Sequence, residues 1–181
     1  MRHPIIERLP FSPEYVTNDI TLGKDSKDGI LLFGTNACGK STLMKSLGVS
    51  IILAQAGLFV PCTSFTFNPY KTIYTRIWGN DNIFKGLSTF AVEMSELRTI
   101  LKQSNQNSLI LGDELCSGTE STSALSIFAA GLERLHEIGS SFIFATHFHE
   151  ILDFGHFGCS AWSPNLHCEI LNLKANRMGP I

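Results

Sequence analysis

The sequence predicts an α/β fold, a mainly parallel sheet flanked by helices, on three observations. Short apolar runs alternate with stretches of helical spacing, a glycine-rich loop joins the first run to the first helix, and a later run ends in two adjacent carboxylates. The 181 residues, 44% of them hydrophobic, are enough for one substantial core, so a single domain over residues 1–181 is expected.

The first run, Ile30-Leu31-Leu32-Phe33, leads into a helix over 41–54. A second pair joins a strand at 72–77 to a helix at 90–101, where Phe90, Met94, Leu97 and Leu101 recur at steps of three or four. Leu109-Ile110-Leu111 then precedes a helix over 121–137, with Leu125, Phe128, Leu132 and Leu135 on one face. Phe142-Ile143-Phe144-Ala145 closes the series. The runs at 31, 109 and 142 are apolar throughout, as strands covered on both faces are. Before them, Tyr15-Val16-Thr17 reads as an extended piece and residues 23–29 as a polar turn. After about residue 153 the periodicity fades into Gly, His, Cys and Pro.

Composition narrows the function classes. With 14 basic against 16 acidic residues, no global positive field draws this chain onto a nucleic-acid backbone, so any DNA contact is expected mostly elsewhere. No apolar run approaches the roughly 18 residues that cross a bilayer, and a soluble intracellular protein with no membrane partner is expected. Five cysteines without a CxxC pair argue against a disulfide framework and agree with a reducing compartment. The tail holds His147, His149, His156, Cys159, His167 and Cys168, whose scatter matches no usual zinc spacing.

The chemistry begins at Gly34-Thr35-Asn36-Ala37-Cys38-Gly39-Lys40-Ser41, which fits GxxxxGK[ST] between a strand and a helix, the context that this phosphate-binding loop requires. Gly34 and Gly39 let the backbone curl so that successive N–H groups face phosphates, and the helix beyond presents its positive dipole end. Lys40 is expected to neutralise the β and γ phosphates of ATP or a similar nucleotide, and the Ser41 hydroxyl to take a place on Mg²⁺.

The run 109–111 ends in Gly112-Asp113-Glu114, at the sheet edge where ligands of parallel sheets bind. Asp113 is expected to hold Mg²⁺, and Glu114 to orient and deprotonate the attacking water. A solvated strand end is the bland alternative, which the phosphate loop makes the weaker one. Thr146-His147 leaves the same edge, and His147 is placed to sense the γ phosphate.

In this order the motifs resemble the MutS mismatch-repair ATPases, which share the fold of the P-loop NTPases of the ABC-ATPase type. The resemblance spans Arg2 to about Leu152: Arg2-His3-Pro4, Asn18, the loop Gly34 to Thr42 with Asn36, residues 57–61, Thr75-Arg76-Ile77, Asp113-Glu114, Gly118-Thr119 and Ala145-Thr146-His147-Phe148. Most specific is Gly86-Leu87-Ser88-Thr89-Phe90-Ala91-Val92-Glu93-Met94, similar to the family's ST-F-x-x-EM segment.

The resemblance implies that two such domains, as a homo- or heterodimer, face one another. Ser88 of one then completes the nucleotide site of the other, and Thr119 lies in a stretch that crosses to the partner. It further implies that Tyr15 stacks on adenine, that Asn36 adds a donor near the γ phosphate, and that Thr42 belongs to the binding loop with Thr35, Ala37 and Cys38.

The implied function is ATP hydrolysis that couples dimer closure to recognition of mismatched duplex DNA, the DNA being held by segments outside this chain. The sequence is expected to be a fragment that stops before the family's helical dimerisation end. Cys38, Leu87, Ser117 and Ser123 depart from the family pattern, which touches the cross-dimer details and not nucleotide binding. The wording of 80–86 and 114–118 is most similar to a branch found in organelles and large DNA viruses.

Two other readings share some of these features. An ABC-type ATPase of another system should carry an LSGGQ-like segment before its acidic strand, and this chain has none. A nucleotide-dependent dimerisation module with little hydrolysis would look the same in sequence.

Overall fold

The computed structural model describes residues 1–9, 15–23, 28–34, 38–76, 89–113, 115, 121–152 and 168–172. Five strands form one sheet in the order β2-β3-β4-β1-β5, with β1 at Gly29–Phe33, β2 at Thr72–Arg76, β3 at Ser108–Asp113, β4 at Ser141–Ala145 and β5 at Cys168–Asn172. Every pairing is parallel. Helices α2 (Thr89–Gln103) and α3 (Ser121–Ile138) make the crossovers that the parallel neighbours β2-β3 and β3-β4 require, and α1 (Lys40–Gln55) lies on the longer connection from β1 to the edge strand β2.

The strands alternate in what they feed. Ile30, Leu32, Leu109, Leu111, Ile143 and Ala145 face α1, through Leu43, Met44, Leu47 and Ile51. Leu31, Phe33, Ile110, Phe142 and Phe144 face α2 and α3, through Leu97, Ile100, Phe128, Leu132 and Leu135. All five residues of β1 and of β4 are buried, as expected of runs that are apolar throughout. The stripe expected on α3 is buried at all four positions, whereas on α2 Leu97 and Ile100 are buried and Met94 and Leu101 only partly so.

Element ends differ slightly from expectation: α1 starts one residue earlier, at Lys40, and β2 ends at Arg76, while Ile77 lies outside the described residues. The larger difference is β5. Residues 168–172 carry no alternation of their own, but they pair with β1 in register from Gly29↔Cys168 to Phe33↔Asn172. Tertiary pairing, not local pattern, makes this strand. Tyr15-Val16-Thr17 is described without regular structure, and most of the expected 23–29 turn lies outside the described residues.

Chain direction creates a crevice at the carboxyl end of the sheet. After β1 the chain turns onto one face as α1; after β4 it turns onto the other, where Phe148 and Ile151 join the α3 core. Neighbouring strands whose connections leave in opposite directions define the point where ligands of open parallel sheets bind.

Candidate nucleotide site

The site is assembled at that crevice. Register places Leu32 beside Ala145 and Ala145 beside Asp113, so the loop after β1, the acid end of β3 and the Thr146-His147 exit of β4 share one level. Thr146 is buried, its N–H donates to Leu32 O at 3.1 Å, and its Oγ1 accepts the Phe148 N–H at 3.1 Å. This anchored turn delivers His147 to the surface, where it is exposed.

Gly39 precedes α1 with φ 102° and ψ 11°, a backbone region that costs any residue with a Cβ. Gly34, with φ 152°, is the other positive-φ glycine of the loop. From the first turn of α1, Lys40 is buried and its Nζ donates to Gly34 O at 2.8 Å, closing the loop on itself. A buried ammonium held at the mouth of a loop beside a helix N-terminus is a fixed positive centre, suited to an anion.

Ser41 Oγ donates a hydrogen bond to Asp113 Oδ2, across 72 residues of sequence. Asp113 follows Leu109 and Leu111 in alternation and so projects to the α1 face, towards the first turn of that helix. The loop and the acid strand therefore meet through the two oxygen donors that the sequence assigned to a metal. Hydroxyl and carboxylate oxygens are hard ligands of the kind Mg²⁺ takes, so the donor set fits that ion.

Tyr15 sits half-buried against the same helix, its OH 3.3 Å from Ser46 Oγ. Ser46 spends its own proton on Thr42 O at 2.8 Å, which leaves Tyr15 as the donor. Cys38 is half-buried and a free thiol, as is Cys62. Among the sequence-predicted residues, the structure thus brings Gly34, Gly39, Lys40, Ser41, Thr42, Asp113 and His147 to one end of the sheet, with Tyr15 along α1. Thr35, Asn36, Ala37, Ser88, Glu114 and Thr119 lie outside the described residues, as do His156, Cys159 and His167 of the tail. Among the described residues no cluster of three His, Cys, Asp or Glu could hold a metal, and no helix is long and apolar enough to cross a membrane.

The residue reading missed one polar pair near this edge. Arg76 ends β2, beside Gly112 in register, and its guanidinium contacts Glu93 and Glu96 of α2. A signal existed: Glu93 interrupts an otherwise apolar set, Phe90, Ala91, Val92 and Met94, at the start of a helix.

A parallel sheet with a GxxxxGKS loop at its switch point and a carboxylate bonded to the loop serine defines a nucleotide-binding α/β domain of the P-loop class. Sequence comparison narrows the class, since the family described as MutS domain V matches residues 30–175. A putative DNA mismatch repair protein mutS homolog of Acanthamoeba polyphaga mimivirus is 45% identical over 83% of this chain and 16% of its own length. The mitochondrial DNA mismatch repair protein mutS homolog of Sarcophyton glaucum is 46% identical over 83% of the chain and 15% of its own length. DNA mismatch repair protein MutS of Finegoldia magna is 41% identical over 84% and 18% respectively. The chain belongs to the MutS family, in its domain V. It spans less than a fifth of the length of these relatives. The viral and mitochondrial relatives agree with the branch that the sequence wording resembled.

Proposed function

We propose that this chain binds and hydrolyses ATP as the nucleotide domain of a DNA mismatch-repair protein working inside the cell. The observation that carries the reading is the Ser41–Asp113 hydrogen bond, which joins the phosphate loop to the acid strand. Loop N–H groups and Lys40 would hold the β and γ phosphates, and the Tyr15 ring would lie against the base, stacking without base-specific hydrogen bonds. Ser41 and Asp113 would hold Mg²⁺, which when bound supplies charge neutralisation across the phosphate oxygens. Glu114 would take the proton of the water that attacks the γ phosphorus, with ADP as leaving group, and His147 would face the γ phosphate.

In this reading two domains close on ATP, Ser88 and Thr119 of each reaching the site of the other, and hydrolysis reopens them. Closure would be coupled to mismatched duplex DNA held by other parts of a longer protein. Two measurements test the site. Lys40→Ala should lower ATP affinity by at least about tenfold, as removal of a charge-assisted phosphate contact does, and undiminished affinity would refute the loop assignment. Glu114→Gln should keep ATP binding and cut turnover by about a hundredfold or more. Equal turnover in the two proteins would remove Glu114 from its catalytic role, and a wild type that binds ATP and barely turns it over would leave a nucleotide-dependent dimerisation module.

A further inference from the structure

Two polar bridges leave the carboxyl end of the sheet in opposite directions. On one face Asp113 meets Ser41 of α1. On the other, Arg76 Nη2 lies 3.0 Å from Glu93 Oε1, and its Nη1 contacts Glu96 Oε2, so one guanidinium grips two carboxylates three residues apart on α2. Arg76 pairs in register with Gly112, the residue before Asp113. The two bridges therefore start from adjacent positions on neighbouring strands.

The second bridge is badly built for stability. The Arg76 and Glu93 side chains are 6% and 3% exposed, so both charges have lost their water. Among the described residues Arg76 Nε and Glu93 Oε2 have no hydrogen-bond partner, so none of these returns the desolvation cost of either atom. An apolar pair of similar volume would hold helix to sheet as well or better. A forked guanidinium on two carboxylates supplies what an apolar contact lacks, a definite position of the helix along its own axis. The helix so held begins at Thr89, one residue after Ser88.

We infer that Arg76 and Glu93 are positioning residues of a two-domain nucleotide site: their ion pair sets α2 relative to the strand end that carries Asp113. Among the described residues their ion-pair partners are each other and Glu96, not Ser41, and they act through α2. The inference rests on the two-domain reading of Ser88 proposed above.

The test uses the full chain and a non-hydrolysable ATP analogue with Mg²⁺. Wild type and the double variant Arg76→Met, Glu93→Leu are compared in thermal unfolding, analogue affinity, and analogue-dependent self-association by sedimentation. The expected result is an unchanged or raised melting temperature, affinity within about twofold of wild type, and self-association weakened by at least about tenfold. A stable double variant that self-associates like wild type overturns the inference and leaves the pair a structural one.

If the double variant does not fold, Arg76→Lys, which keeps the charge and loses the fork, is judged by the same two readings. A wild type that binds the analogue and never self-associates removes the two-domain reading and the inference together. A wild type that binds no analogue removes the nucleotide site itself.

Discussion

On the α1 face of the sheet the core is aliphatic and the helix lies close; on the α2/α3 face it is aromatic and the helices stand on rings. Alpha-1 buries Ser46, Gly48 and Ser50 along with its leucines, and a Cβ at Gly48 would come to 3.0 Å from Leu111 Cδ1. Opposite it, Phe128 meets Phe144 edge-on at 5.5 Å and 84°, and Phe142 lies 5.9 Å from Phe144. Those rings cover two glycines of neighbouring strands: a Cβ on Gly29 would overlap Phe142, and one on Gly112 would overlap Phe144. Each of these is a register pair, Gly29↔Phe142 and Gly112↔Phe144.

The difference follows from what each face must place. A helix whose first turn has to bring Lys40 and Ser41 to the end of β1 and the level of Asp113 needs a near approach, which small residues permit. The far face carries none of the described residues of the phosphate loop, and large side chains can fill it.

The largest effect should come from emptying the aromatic face. Phe144→Ala is expected to cost about 3–5 kcal/mol in urea unfolding, since a fully buried ring leaves a cavity that its neighbours fill only in part. Gly112→Ala should cost about 1–3 kcal/mol by overpacking. In a Phe144→Leu background that cost should shrink, because ring and Cβ compete for one space; strict additivity would break the explanation.

Gly48→Ala makes the contrasting case. A gain of about 1 kcal/mol in helix propensity is set against a tight contact with one movable methyl group, so the net change should stay within about 1 kcal/mol. A loss as large as that of Gly112→Ala would erase the distinction between the faces.

The smallest effect concerns pH, and belongs to the α1 face, which irregular chain seals through Met1, Ile20, Leu22, Phe65 and Tyr70. There His3 is buried and its Nδ1 accepts the N–H groups of Ile5 and Ile6, each at 3.2 Å. Burial, and then the charge of Lys45, lower its pKa below the ordinary 6.5. The unfolded chain therefore binds a proton first as pH falls, and stability should be complete above about pH 6.5 and decline from there towards the lowered value. His3→Gln should flatten that slope in thermal melts taken between pH 7 and 5.

Much of this was legible in order along the chain. Apolar runs around 31, 109 and 142 could only be covered strands once helical stripes stood between them, and the GxxxxGKS loop carries its own context with it. Arg76 and Glu93 were visible as motif residues but not as partners, because they lie 17 positions apart on two different elements and neither has a local reason to seek the other. Strand β5 left no trace, since Cys168-Glu169-Ile170-Leu171-Asn172 has no period that local steric preference could impose.

By itself, then, the sequence determined the class of fold and the phosphate loop, since both depend on short-range periodicity and on glycine at defined places. Tertiary structure alone decided that Ser41 meets Asp113, that Arg76 holds α2, and that residues 168–172 complete the sheet. Each of these is a contact between segments distant in sequence. Such contacts depend on strand order and register, which the pairing of whole strands selects and no local pattern encodes.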